Sequence, residues 1–153
     1  KDQSTLSVTP ISIQSLSIMQ GNNQLVGDYG FGVVGNQDLC ITSITSRISS
    51  KNETSAVGFT TLTMADVGGA TPLTIGEANP VWNNGSYDYN FGSLDFCIQA
   101  NNGKKIRFFL NGVSYGAPGS VLTQQITSVT YKNKVTGEVA TLSPVYVYTF
   151  EAK

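Results

Sequence analysis

Apolar and polar residues alternate in short runs along most of this chain, and clusters of Gly, Asn and Pro break the runs. A period of two places successive side chains on opposite faces of a half-buried strand. The pattern predicts strands over Thr5–Thr9, Ile11–Met19, Leu25–Val34, Cys40–Ile48, Val57–Met64, Tyr87–Gln99, Lys105–Leu110, Val113–Tyr115, Val121–Lys132 and Val139–Phe150. Helical spacing is sustained nowhere. The stretch Ala65–Ala78 comes nearest, but Gly68, Gly69, Pro72 and Gly76 interrupt it. Many short strands between turn signals predict an all-β, antiparallel β-sandwich of immunoglobulin-like or jelly-roll type.

Local details sharpen this picture. Leu6 and Val8 are even-numbered, Ile11 and Ile13 odd, and Leu16 and Ile18 even again. One continuous strand keeps one phase, so the break at Pro10 predicts two short strands that serve different sheets or different subunits. The segment 57–64 alternates as Val57, Phe59, Thr61 and Thr63 on one side. Asn111-Gly112 is a hairpin signal, because both residues accept positive φ in a type I′ turn. Thr136-Gly137 joins the last two long strands. In the final strand Tyr146, Tyr148 and Phe150 share one face, while Val145 and Val147 share the other. A strand apolar on both faces is expected to be central and covered on both sides.

At 153 residues the chain suits one domain, with residues 1–15 as an N-terminal extension and 16–153 as the sandwich. It shows no repeat of fixed period. Only 12% of residues are charged, against roughly 25% in an average soluble protein. Ser, Thr, Asn, Gln and Gly take their place, as on exported β-proteins. A net charge of −1 gives no electrostatic case for nucleic acid or an anionic membrane. No apolar run approaches the roughly 20 residues of a membrane-spanning helix. With no initiator Met and no leader pattern, we expect that an export signal has been removed and that the protein is extracellular, at the cell surface.

Cys40 and Cys97 are the two cysteines. An even pair in a low-charge chain of this kind predicts one disulfide, with two buried thiols as the alternative. A zinc site is disfavoured, since His and C-x-x-C are absent. The lack of His also removes Ser-His-Asp and Cys-His catalysis. The ten acidic residues are scattered, and no phosphate-binding loop is present. We therefore expect neither catalysis nor a cofactor.

Three stretches carry binding chemistry. Asp88, Asn90 and Asp95 set oxygen atoms at alternate positions as calcium loops do, although the same residues also make ordinary turns. Asn52-Glu53-Thr54 and Asn84-Gly85-Ser86 match the N-glycosylation acceptor pattern, which places modification at Asn52 and Asn84. Trp82, Tyr87 and Tyr89 beside Asn90 offer flat rings and an amide, the groups that recognise sugar C–H faces and hydroxyls. The competing explanation is plain strand alternation, with Trp82 plugging the core.

The N-terminal alternation of Leu6, Val8, Ile11 and Ile13 resembles that of pilin-like β-sandwich subunits, which polymerise by donor-strand complementation in bacterial and archaeal surface pili and threads. In those families an N-terminal extension completes the sandwich of the next subunit. The resemblance implies a homopolymeric extracellular filament in which Leu6, Val8, Ile11 and Ile13 fill pockets on a neighbouring copy. Chaperone–usher pilins carry a closer cysteine pair and a penultimate Tyr, whereas this chain ends Phe150-Glu151-Ala152-Lys153. A chaperone-independent thread is the nearer likeness. The run Ile106-Arg107-Phe108-Phe109-Leu110-Asn111-Gly112-Val113 is similar to strands of jelly-roll lectin and laminin-G-like domains. That likeness implies the alternative function, a secreted carbohydrate-binding module or adhesin with cell-surface glycans as partners.

Overall fold

The computed structural model describes residues 4–11, 15–144 and 146–153. Fifteen strands and no helix occur among them. In chain order these are β1 (Thr5–Pro10), β2 (Leu16–Ile18), β3 (Gln24–Val34), β4 (Leu39–Asn52), β5 (Val57–Gly58), β6 (Leu62–Asp66), β7 (Leu73–Ala78) and β8 (Pro80–Asn83). There follow β9 (Ser86–Phe91), β10 (Phe96–Ile98), β11 (Gly103–Leu110), β12 (Ser114–Tyr115), β13 (Val121–Asn133), β14 (Val139–Leu142) and β15 (Val147–Ala152). One sheet runs β1-β3-β11-β6-β7. The other runs β2-β15-β13-β4-β9-β8, with β10 also on β4 and β14 also on β13. A two-stranded ribbon, β12-β5, completes the set. The pairs are antiparallel apart from β2 on β15, which is parallel. The chain is an antiparallel β-sandwich.

Alternation explains the core. Tyr29, Phe31, Phe108 and Leu110 point inward from the first sheet, and Ile44, Ile48, Tyr89, Phe91, Ile126, Tyr148 and Phe150 from the second. Each such burial stabilises the fold by about 1.5–3 kcal/mol before entropy is counted. Rings meet edge to face across the interface, Tyr29 on Tyr148 at 5.2 Å and Phe91 on Phe108 at 6.0 Å. A polar chain also crosses the core. The Tyr29 hydroxyl donates to Gln124 Oε1 at 2.6 Å, and Gln124 Nε2 donates to Ser46 Oγ at 2.8 Å. Gly27 makes room for it, since a Cβ there would fall 2.5 Å from Gln124 Oε1.

The phase break at Pro10 does separate two sheets. β1 joins β3 in the first sheet and β2 joins β15 in the second. The Asp28 carbonyl pins the crossing, accepting from the Ile11 N–H at 2.9 Å and from the Tyr148 hydroxyl.

Other expectations need correction. Asn111-Gly112 makes no hairpin between β11 and β12. Only Gly112 of the pair has positive φ, and β12 pairs with β5. The Asn111 side chain is committed elsewhere, donating to Thr61 Oγ1 and Thr63 Oγ1. The two-residue hairpin forms instead at Asn84-Gly85, where φ is 49° and 91°, joining β8 to β9. Leu62, Met64 and Ala65 are the buried residues of β6, and Thr61 and Thr63, on the side shared with Val57 and Phe59, are only partly buried. The single strand expected over 139–150 is two, β14 and β15, split around Pro144 and both paired with β13. Val147 is exposed, so β15 is covered on one face only. Strands β7 and β8 lie where no strand was expected.

Candidate functional site

Strand β1 is the edge of the five-stranded sheet. Its six residues pair one to one with β3, from Thr5 opposite Val34 to Pro10 opposite Tyr29. Leu6 and Val8 face the core, with Leu6 only 4% exposed and Val8 packed against the buried cluster. Ser7 and Thr9 face out. Ser4 Oγ accepts from the Gln37 N–H at 2.9 Å and holds the start of the strand. Ile11 is exposed, and Ile13 lies outside the described residues. The groove that Leu6 and Val8 fill is thus closed within this chain.

The second candidate region is the β8–β9 hairpin. Trp82 sits directly opposite Tyr87, with ring centroids 5.0 Å apart, and Tyr87 stacks edge-on against Phe59 at 5.5 Å. Trp82 is 63% exposed although it occupies the core-facing side of its strand, because β8 overhangs the rim of the core. Tyr89, expected on a sugar platform, is fully buried, and burial pushes its phenol well above the usual range. Its hydroxyl has no hydrogen-bond partner among the described residues. Asn90 is on the opposite face from Trp82 and Tyr87, and its carbonyl accepts from Thr45 Oγ1 at 3.1 Å. Burial therefore removes Tyr89 and the pleat sends Asn90 to the other face, which leaves Trp82 and Tyr87 together at the rim.

The oxygen set for a cation is divided too. Asp88 Oδ1 accepts from Arg47 Nε at 2.7 Å, and Asp88 Oδ2 from Arg47 Nη2 at 3.2 Å and Asn83 Nδ2 at 2.9 Å. The Arg47 guanidinium holds the Asp88 carboxyl below its ordinary range and is itself raised by the pairing. Asp95 lies beyond β9, beside Cys97. The acid and thiol groups that converge among the described residues are Cys40, Asp95 and Cys97, and there the two sulfurs are bonded to each other. Cys40 and Cys97 stand opposite in the β4–β10 register, so the expected disulfide is present. Asn52 ends β4 and Asn84 tops the β8–β9 turn, both exposed.

No protein-family model matches the chain, and no curated protein does. Among solved structures, a DUF4466 family protein from Parabacteroides merdae is 13% identical at a TM-score of 0.36, over 95% of this chain and 44% of that one. This chain thus spans less than half of that protein. A type I cohesin from Pseudobacteroides cellulosolvens is 11% identical at a TM-score of 0.42, over 92% of this chain and 89% of that one. A PapD-like domain of human CEP192 is 10% identical at a TM-score of 0.36, over 97% and 83%. These likenesses carry nothing about what the chain binds.

Proposed function

We propose that the protein is an extracellular β-sandwich subunit that assembles with copies of itself by exchanging strand β1. The observation that supports this most is the separateness of β1. Its ladder is to β3 alone, and the chain then leaves that sheet at Pro10 to enter the opposite sheet at Leu16. Every contact β1 makes at home is offered in identical form by a second copy, so exchange needs no new surface. Backbone pairing supplies affinity, while Leu6 and Val8 supply the knobs. The balance between home and exchanged pairing is then set by concentration and by the reach of the five residues Ile11 to Ser15. Fully extended, these span at most about 17 Å, so the receiving copy lies close. The disulfide suits an oxidising, extracytoplasmic setting.

The test is a cross-link. Thr5 and Val34 are exposed and directly opposite in the β1–β3 register. The double variant Thr5→Cys/Val34→Cys, oxidised at high protein concentration, is expected to give a ladder of covalent multimers on a non-reducing denaturing gel. A cross-linked monomer band alone at the highest soluble concentration sinks the reading.

A further inference from the structure

Three Asn-Gly steps occur in the chain, Asn84-Gly85, Asn102-Gly103 and Asn111-Gly112. Such a step carries a latent reaction. The glycine nitrogen can attack the asparagine Cγ, because no Cβ on the glycine stands in the way. Whether it does so depends on what holds the side-chain amide and the backbone nitrogen, and the fold treats the three steps differently.

Asn111-Gly112 is held at every group. Asn111 Nδ2 donates to Thr61 Oγ1 at 3.0 Å and to Thr63 Oγ1 at 2.8 Å, and Asn111 Oδ1 accepts from the Asn23 N–H at 3.0 Å. The Gly112 N–H donates to Asn22 Oδ1 at 2.8 Å. Thr60 crowds this turn, with its Oγ1 2.5 Å from where a Gly112 Cβ would stand. Asn102-Gly103 is held by the first sheet. Gly103 begins β11 opposite Gly32, and the Asn102 carbonyl accepts from the Val33 N–H at 2.9 Å. Asn102 Nδ2 donates to Gln99 Oε1 at 3.2 Å.

Asn84-Gly85 is held by its turn alone. Among the described residues, neither the Asn84 side chain nor the Gly85 N–H has a hydrogen-bond partner. Both residues are exposed, and no atom lies within 4 Å of where a Gly85 Cβ would stand. Their φ values of 49° and 91° are those of a type I′ turn. A flip of the peptide plane between them gives a type II′ turn, which glycine in the second position accepts. That flip brings the Gly85 nitrogen toward Asn84 Cγ and disturbs nothing beyond the tip of the hairpin.

We propose that Asn84 is a site of spontaneous deamidation, with water as the co-reactant. The Gly85 nitrogen loses its proton to solvent and bonds to Asn84 Cγ. The Cγ–Nδ2 bond breaks, and ammonia leaves behind a cyclic imide. Water then opens the imide at Cγ to give aspartate, or at the main-chain carbonyl carbon to give isoaspartate. Nothing is oxidised or reduced. The reaction consumes the acceptor amide of Asn84-Gly85-Ser86, so deamidation and glycosylation of Asn84 exclude each other. Isoaspartate also inserts a methylene into the main chain, which a two-residue turn cannot absorb in register. Strand β8 is an edge whose sheet neighbour is β9. Ageing at Asn84 therefore loosens the strand that carries Trp82. None of this depends on whether the chain self-associates.

Peptide mapping by mass spectrometry tests the proposal on the folded full chain, aged at mildly alkaline pH with its disulfide intact. The peptide that holds Asn84 is expected to gain the mass of an amide-to-acid conversion and to separate into aspartate and isoaspartate forms. The peptides that hold Asn102 and Asn111 are expected to stay unchanged. In urea, where the fold no longer distinguishes them, the three steps are expected to convert at comparable rates. Gly85→Ala sets a Cβ beside the attacking nitrogen and is expected to slow conversion at Asn84 by about tenfold. Amide hydrogen exchange over β8 and β9 is expected to be faster in aged protein than in fresh. Conversion at Asn102 or Asn111 as fast as at Asn84 in the folded chain overturns the assignment. So does an Asn84 amide that survives in the folded chain while it converts in urea. A glycan found on Asn84 overturns it in favour of that modification. Deamidated protein with unchanged exchange over β8 and β9 overturns the loosening and leaves the deamidation standing.

Discussion

Tyr29 and Tyr89 are both buried phenols in a sandwich core, and their hydroxyls face opposite circumstances. Tyr29 donates to Gln124, whereas Tyr89 finds no partner among the described residues. Tyr29→Phe strands the Gln124 carbonyl oxygen and is expected to cost about 1–3 kcal/mol. Tyr89→Phe removes a hydroxyl that is already unpartnered and is expected to leave stability unchanged or improved. Urea denaturation midpoints for the two variants check the pair, and equal losses would mean that the Tyr89 hydroxyl is satisfied. Asp88 gives a pH dependence. Arg47 lowers its folded-state pKa, so its contribution is fully present above the unfolded value and is lost as pH falls through the lowered one. Stability is expected to decline below about pH 4, the unperturbed aspartate value. Asp88→Asn is expected to flatten that part of the decline in an acid denaturation series.

At the scale of elements, the disulfide ties β10 to β4 and bridges residues 57 apart in sequence. Constraining the unfolded chain over a loop of that length is worth about 4 kcal/mol in the chain-entropy account. Reduction, or replacement of both cysteines by Ala, is expected to lower stability by that order, read from denaturant midpoints with and without reductant. The disulfide was legible because two cysteines admit one pairing. The switch at Pro10 was legible because a phase change is a local property that no single strand can absorb. The Asn-Gly signal failed at Asn111, which found long-range partners in Thr61 and Thr63 that no short-range pattern reveals. Strands β7 and β8 escaped notice for a related reason. They are edges, exposed on much of their surface, so burial imposes little alternation on them. The rings and amide expected to act together are separated by depth and by the pleat: Tyr89 shares a face with Tyr87 but lies in the core, and Asn90 points to the other face of β9.

For the whole molecule, sheet count and packing follow from alternation, but strand order does not, since it depends on pairings between distant segments. That order puts β1 and β2 at one flank and β7 and β8 at the other, each pair consecutive or nearly so in the chain. The first flank carries β1 and the second carries Trp82.

The parallel pairing of β2 with β15 has a mechanical side. Leu16 to Ile18 lies alongside Phe150 to Ala152, both running the same way. A tensile load that enters at the start of β2 and leaves at the end of β15 pulls these neighbours in opposite directions along their common axis. The hydrogen bonds between them are then loaded in shear and must yield together, instead of opening one after another like a zip. The same geometry places that clamp just downstream of the crossing at Pro10, so a pull between the two ends of the chain meets resistance there before it reaches the core.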